Sequence, residues 1–159
     1  MNKKKLVKEI IAALARSGAL LEKAARASHA EATHESSRAE SKYDTRGLEA
    51  AYLAGGQARQ AREILDAIKA YEGLVIRTFG PQDPIAISAL VELEMDSNRF
   101  FFFLGPKGGG VEVMHAKVEV TVITPDSPIG MYLLGKTTNQ TWSAKIGAAQ
   151  VKYRVVSVT

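Results

Sequence analysis

No proline occurs in the first 80 residues, and two runs within them repeat their apolar side chains at helical spacing. Proline lacks an N–H and its ring collides with the preceding turn, so a stretch free of it can be helical throughout. Leu6, Ile10, Ala13, Leu14, Leu20, Leu21 and Ala24 fall on one face at steps of three and four. Lys8, Arg16, Lys23 and Arg26 lie largely off that face. Leu48, Ala51, Ala58, Ala61, Leu65 and Ile68 repeat the pattern, surrounded by Arg59, Arg62, Glu63, Asp66 and Lys69. Each run suits a helix of about 26–30 residues, roughly 40 Å long. So long a helix with one narrow apolar stripe needs a partner stripe, and the nearest is the other run. The expectation is an antiparallel coiled-coil hairpin over residues 1–71. Its alanines let the two backbones approach closely. Gly55 and Gly56 weaken the second helix by roughly 1 kcal/mol each relative to alanine; either they permit tight packing or they mark a bend.

After Tyr71 the texture changes. "GLVIRTFG", "AISALVELEM", "RFFFFLGP", "VEVMHAKVEVTVIT" and "VKYRVVSVT" are short, β-branched or aromatic, and separated by Gly, Pro, Asp and Asn. "VELEMDSNRFFFFL" predicts a hairpin turning at Asp96-Ser97-Asn98. The run from Phe100 to Leu104 is continuous rather than alternating, which suits a strand covered on both faces; exposed, it would promote aggregation. One helix interrupts the strands in "TPDSPIGMYLLGK". Ser127 is a natural N-cap, Pro128 fits the first helical position, and Gly135 fits the left-handed exit. Ile129, Leu133 and Leu134 are placed to face the sheet. The fold class is α+β: a helical hairpin followed by a small antiparallel β domain with one short helix, residues 72–159.

At 159 residues the chain allows one medium domain, or a compact domain with a helical extension. It has no cysteine, which excludes disulfides and thiolate metal sites. The start "MNKKKLVKEIIAALA" is basic, but Lys8 and Glu9 break its apolar stretch, so it reads as helix rather than signal peptide. No run is long enough to span a bilayer, and a cytoplasmic protein of bacterial type without membrane contact is expected. Residues 1–71 carry 13 Lys and Arg against 9 Asp and Glu, whereas residues 72–159 carry 8 against 8, so the net charge of +4 lies in the first half. That balance is compatible with an acidic partner. No basic run with interleaved aromatics points to direct base contact.

No enzymatic constellation is visible. His29 and His34 with Glu31 and Glu35 resemble H-E-x-x-H, but the histidines are five apart, about 140° around a helix. His115 has no obvious acid partner and reads as structural. "GPKGGG" (Gly105 to Gly110) lacks the Lys-Ser/Thr and helix of a P-loop and reads as a hairpin connection. Ser36, Ser37, Ser127 and Ser143 show no His/Asp arrangement for nucleophilic catalysis. Trp142 reads as packing at a strand edge, or as an interface anchor.

The C-terminal stretch "VEVTVITPDSPIGMYLLGKTTNQTWSAKIGAAQVKYRVVSV" resembles the C-terminal domain of the bacterial Gre transcription elongation factors, GreA and GreB, and of their Rnk-like relatives. There an S-P-[IL]-G…L-[LI]-G-K element precedes a last hydrophobic strand. Ser127, Pro128, Ile129, Gly130, Leu134, Gly135 and Lys136 carry the match. In the first half, a basic helical hairpin with an acidic tip continues through "AESKYDTRGLEAAYLAGGQARQAREILDAI", where Tyr43 and its neighbours look like the start of the second Gre helix. The resemblance implies a coiled coil followed by an FKBP-like domain, in shape and not in isomerase activity. It implies an accessory factor rather than an enzyme. Its partner would be RNA polymerase, with nucleic acid reached only through the transcription complex. The C-terminal domain would hold the rim of the secondary channel, and the hairpin would reach the active centre.

In Gre factors, tip acids help hold a catalytic metal, so the polymerase cleaves backtracked transcript. By that resemblance the partner-binding residues here are Tyr43, Asp44, Ser127, Pro128, Ile129 and Gly130. The resemblance implies a chain that binds no metal alone and shares Mg²⁺ with the polymerase. Gre tips carry D-x-x-E, whereas this tip, "HESSRAESKYDTRG", carries Glu35, Glu40 and Asp44, with Glu31 just before it. Glu35 and Glu40 are the best stand-ins for the metal-holding pair. Two alternatives stand beside acid delivery: a Gre-like factor that binds polymerase without stimulating cleavage, and a non-catalytic interaction module whose hairpin dimerises.

Overall fold

The computed structural model describes residues 1–33, 46–146 and 149–159. In chain order its elements are α1 (Lys3–Thr33), α2 (Arg46–Glu72), β1 (Leu90–Met95), β2 (Asn98–Leu104), β3 (Glu112–His115), β4 (Val118–Ile123), α3 (Pro128–Leu133), β5 (Thr141–Ile146) and β6 (Ala149–Val158). A helical hairpin is thus followed by a sheet with one short helix, as the periodicities require. By compactness the chain divides into Leu14–Ile68 and a second unit that joins Met1–Ala13 to Lys69–Thr159. The helical spacing ends near Tyr71, but the roots of both helices belong with the sheet.

Within Leu14–Ile68, Leu14 and Ala25 of α1 and Ala54 of α2 are buried. A Cβ added at Gly18 would stand 3.2 Å from Ile64 Cγ2, so the two helices approach as closely as their small residues allow. Leu20 and Leu65, expected on the apolar stripes, are 70% and 55% exposed. A pair of helices offers each stripe only one neighbour, and side chains at its flanks find no second. Gly55 and Gly56 have no neighbour within 4 Å of an added Cβ, and α2 runs through them as one helix. They therefore serve neither close packing nor a break. Gly56→Ala is expected to stabilise the chain by about 1 kcal/mol, through helix propensity and a less flexible unfolded state. A denaturant midpoint that falls would refute this.

The sheet of the other unit has the order β3-β4-β2-β1-β6-β5. The β1–β2 hairpin turns at Asp96 and Ser97, both at positive φ, with Met95 opposite Asn98. β2 pairs with β4 in parallel, and the other neighbours are antiparallel. The parallel pair departs from the antiparallel expectation. It arises because "GPKGGG" is not a hairpin connection: it carries the chain from β2 out to the edge strand β3, and β4 returns between them. "VEVMHAKVEVTVIT" is itself a hairpin, turning at Ala116 and Lys117, both at positive φ.

One face of the sheet carries Val91, Leu93, Phe102, Leu104, Ile123, Tyr153 and Val155, buried with Phe79, Ile85 and Leu133. The opposite face is divided. Over β2 and β4 it presents Phe103, Val120 and Val122, all fully buried. Over β1, β6 and the start of β2 it is a charged ladder in which Arg99 pairs with Glu92 and Arg154 with Glu94. The Arg154 guanidinium holds the Glu94 carboxyl below the ordinary carboxylate range. Cover on both faces thus holds for Phe102, Phe103 and Leu104, whereas Phe100 is 41% exposed at the start of β2.

Within this unit, polar side chains of the helix roots also tie them to the sheet and its loops. The Lys3 ammonium donates to the carbonyls of Arg77 and Ser88 and sits 4.8 Å over the Phe79 ring. Its burial, with Arg77 nearby, lowers its pKa. Tyr71 lies 6.4 Å from Phe103 between ring centroids and donates to the Lys107 carbonyl at 3.0 Å. Its hydroxyl occupies the space that a Cβ at Gly105 would need. Burial there raises the phenol pKa. Glu9 Oε2 lies 2.6 Å from His115 Nδ1, so His115 does have an acid partner.

Candidate functional site

The residues Ser127, Pro128, Ile129 and Gly130 come together in one turn at the start of α3, and hydrogen bonding fixes its shape. The Ser127 N–H and hydroxyl both donate to the Thr124 carbonyl, at 3.0 and 2.8 Å. The same hydroxyl accepts from the Gly130 N–H at 3.1 Å. Ser127 is the N-cap and Pro128 occupies the first helical position, where its missing N–H costs nothing. Gly130 is required by closeness: an added Cβ would stand 1.8 Å from the Thr124 carbonyl oxygen. The Leu134 N–H closes the helix on the Gly130 carbonyl, and Gly135 exits at φ +79.

A short two-way bridge then pins the exit. The Gly135 N–H donates to the Ile85 carbonyl and the Ile85 N–H to the Lys136 carbonyl, each at 2.8 Å. Lys136 Nζ lies 4.7 Å over the Trp142 ring, which in turn stacks on Tyr153 at 5.0 Å. The whole S-P-I-G…L-L-G-K stretch is therefore one rigid feature, built on Ile85 and the end of the sheet.

What this feature presents to solvent is apolar. Leu133 is fully buried and Ile129 packs against the same core, as expected of the inward face. Leu134, also expected to face the sheet, is 48% exposed, because the helix ends before its side chain can turn inward. Met131 and Tyr132 are 64% and 49% exposed beside it. Three large apolar side chains held outward on a braced turn can bury area against a partner at little ordering cost. Sequence reasoning passed over Met131 and Tyr132. The available signal was that both are apolar at positions the helical period turns away from Leu133.

Of the other residues, Glu35, Glu40, Tyr43 and Asp44 lie outside the described residues. Among the described residues no cluster of three His, Asp or Glu is placed to hold a metal ion. None of their helices is long and apolar enough to cross a membrane.

No family model matches the chain, and no curated protein matches it. Solved structures do resemble it. Gre-type factors are among them. The transcription factor Gfh1 is 22% identical with a TM-score of 0.39, over 96% of this chain and 92% of that one. GreA factor homolog 1 of Thermus thermophilus is 23% identical with a TM-score of 0.38, over 96% and 94%. The transcription elongation factor GreA/GreB from Nitrosomonas europaea is 19% identical with a TM-score of 0.37, over 60% and 78%. At such identities and scores the likeness adds nothing to an argument about function, which rests on the residues above.

Proposed function

We propose that this chain binds RNA polymerase and regulates transcription elongation in the manner of the Gre factors, acting through the polymerase active site rather than as an enzyme itself. The carrying observation is that the Gre-like stretch Ser127 to Lys136 folds into one braced turn with Met131, Tyr132 and Leu134 exposed. In this reading the turn docks on the polymerase at the rim of its secondary channel, and the helical hairpin enters the channel. Each apolar anchor contributes on the order of 1 kcal/mol or more to such a contact. The double variant Met131→Asp/Tyr132→Ala is expected to weaken binding by roughly a hundredfold. The assay is competition with a secondary-channel factor for core polymerase. Failure of the wild type to compete at any concentration would end this reading.

Within it, Glu35 and Glu40 are the carboxylates offered to a Mg²⁺ ion held by the polymerase, since a hard cation takes oxygen ligands from two sources at once. The spacing of these acids, unlike D-x-x-E, favours a second reading in which the factor binds without stimulating cleavage. Transcript cleavage by a stalled polymerase separates the two. If acid donation is right, the wild type stimulates cleavage and Glu35→Ala/Glu40→Ala abolishes it with binding intact. Binding by the wild type without cleavage leaves the partner and removes the acid role.

A further inference from the structure

β5 is an edge strand, and nothing in the described residues pairs with its outer side. The Val155 N–H donates to the Gln140 carbonyl at 3.0 Å, in register with Thr141 opposite Arg154. Antiparallel pairs alternate between bonded and unbonded, so Trp142 and Ala144 direct their backbone groups at β6. Thr141, Ser143 and Lys145 direct theirs outward, and all three residues are exposed. Within its paired register the edge has no proline and no bulge, and Lys145 is the one charged side chain on it. The opposite edge, β3, is only four residues long.

The two faces of this edge differ in chemistry. On one, Trp142 and Ala144 are half-buried extensions of the core. On the other, Lys145 and Lys152 have no ion-pair partner among the described residues. We infer that the outer edge of β5 accepts an extended segment of a partner protein as an added strand, with apolar and acidic residues in alternation. Backbone bonds to Thr141, Ser143 and Lys145 hold the segment. Its apolar side chains lie beside Trp142 and Ala144, and its carboxylates face the lysines. A second copy of β5 is a poorer occupant, because it would gather both copies of Lys145 and Lys152 on one face.

The test uses the full chain and a short acetylated peptide of alternating valine and glutamate. Trp142 is the chain's only tryptophan, so its fluorescence reports the edge directly. Saturable binding is expected, with slowed amide exchange at Thr141, Ser143 and Lys145. Ser143→Pro removes an outward N–H and no ladder bond to β6, so the fold should persist by circular dichroism while peptide affinity falls roughly tenfold. Lys145→Glu should reverse the preference toward a valine–lysine peptide. A backbone N-methylated valine–glutamate peptide should not bind the wild type. The inference is overturned if the glutamate peptide fails to bind, or if Ser143→Pro folds and binds it unchanged. Insensitivity to Lys145→Glu or to N-methylation also overturns it. So does a concentration-dependent dimer whose β5 amides are already protected without peptide, which would assign the edge to a second copy.

Discussion

Gly130→Ala is expected to lower the thermal midpoint by roughly 10 °C, corresponding to a loss of about 3 kcal/mol. The new methyl would stand 1.8 Å from the Thr124 oxygen, 2.8 Å from the Thr124 carbonyl carbon and 2.8 Å from Ser127 Oγ. Two of these are backbone atoms, which cannot swing aside as the end of a long side chain can. The turn must open, and with it go the Ser127 bonds to Thr124 and to Gly130. Loss of such a cap alone costs about 1 kcal/mol. Opening also draws Leu133 out of a fully buried site, and partial exposure of a core leucine adds about 2 kcal/mol. Met131→Ala on the same helix is the control: its side chain is exposed, and the midpoint should move by less than about 0.5 kcal/mol equivalent. Calorimetry of the two variants decides. A Gly130→Ala protein that melts with the wild type would mean that the turn does not need the close approach.

That prediction comes from the part of the molecule that was easiest to read. The cap, the first-turn proline and the exit glycine of α3 are neighbours in sequence, so their chemistry declares itself locally. The Asp96-Ser97 turn was legible for the same reason, since short polar residues tolerate positive φ and mark a hairpin between apolar runs. What escaped depends on distance along the chain. Nothing in "GPKGGG" tells whether the next strand pairs with β2 or passes it, and the parallel β2–β4 pair follows from the second choice. Likewise Leu20 and Leu65 satisfy the helical period, yet a period shows which residues share a face and not how many neighbours that face will meet. The turn at the start of α3 was half-visible: its bracing residues formed a motif, while Met131 and Tyr132, which it displays, showed only as apolar positions turned away from Leu133.

The Glu9–His115 contact is the extreme case, joining residues 106 apart in sequence, and it supports the other large prediction. His115 is 3% exposed, and its Nε2 has no partner among the described residues. Glu9 therefore supplies the one polar contact that the ring has there. Glu9→Leu should cost about 3 kcal/mol, because a buried imidazole left without any partner bears its full desolvation penalty. His115→Leu should cost somewhat less, since Glu9 keeps partial solvent access and Lys5 3.9 Å away. In the double variant Glu9→Leu/His115→Leu neither polar group remains to be satisfied, and most of the loss should return. A double-mutant cycle by chemical denaturation should thus give a coupling of about 4 kcal/mol. Additive single losses would show that the two side chains, although adjacent, do not depend on each other. Recovery in the double variant would instead show that the root of α1 is held to β3 by a polar pair whose strength lies chiefly in the cost of breaking one half.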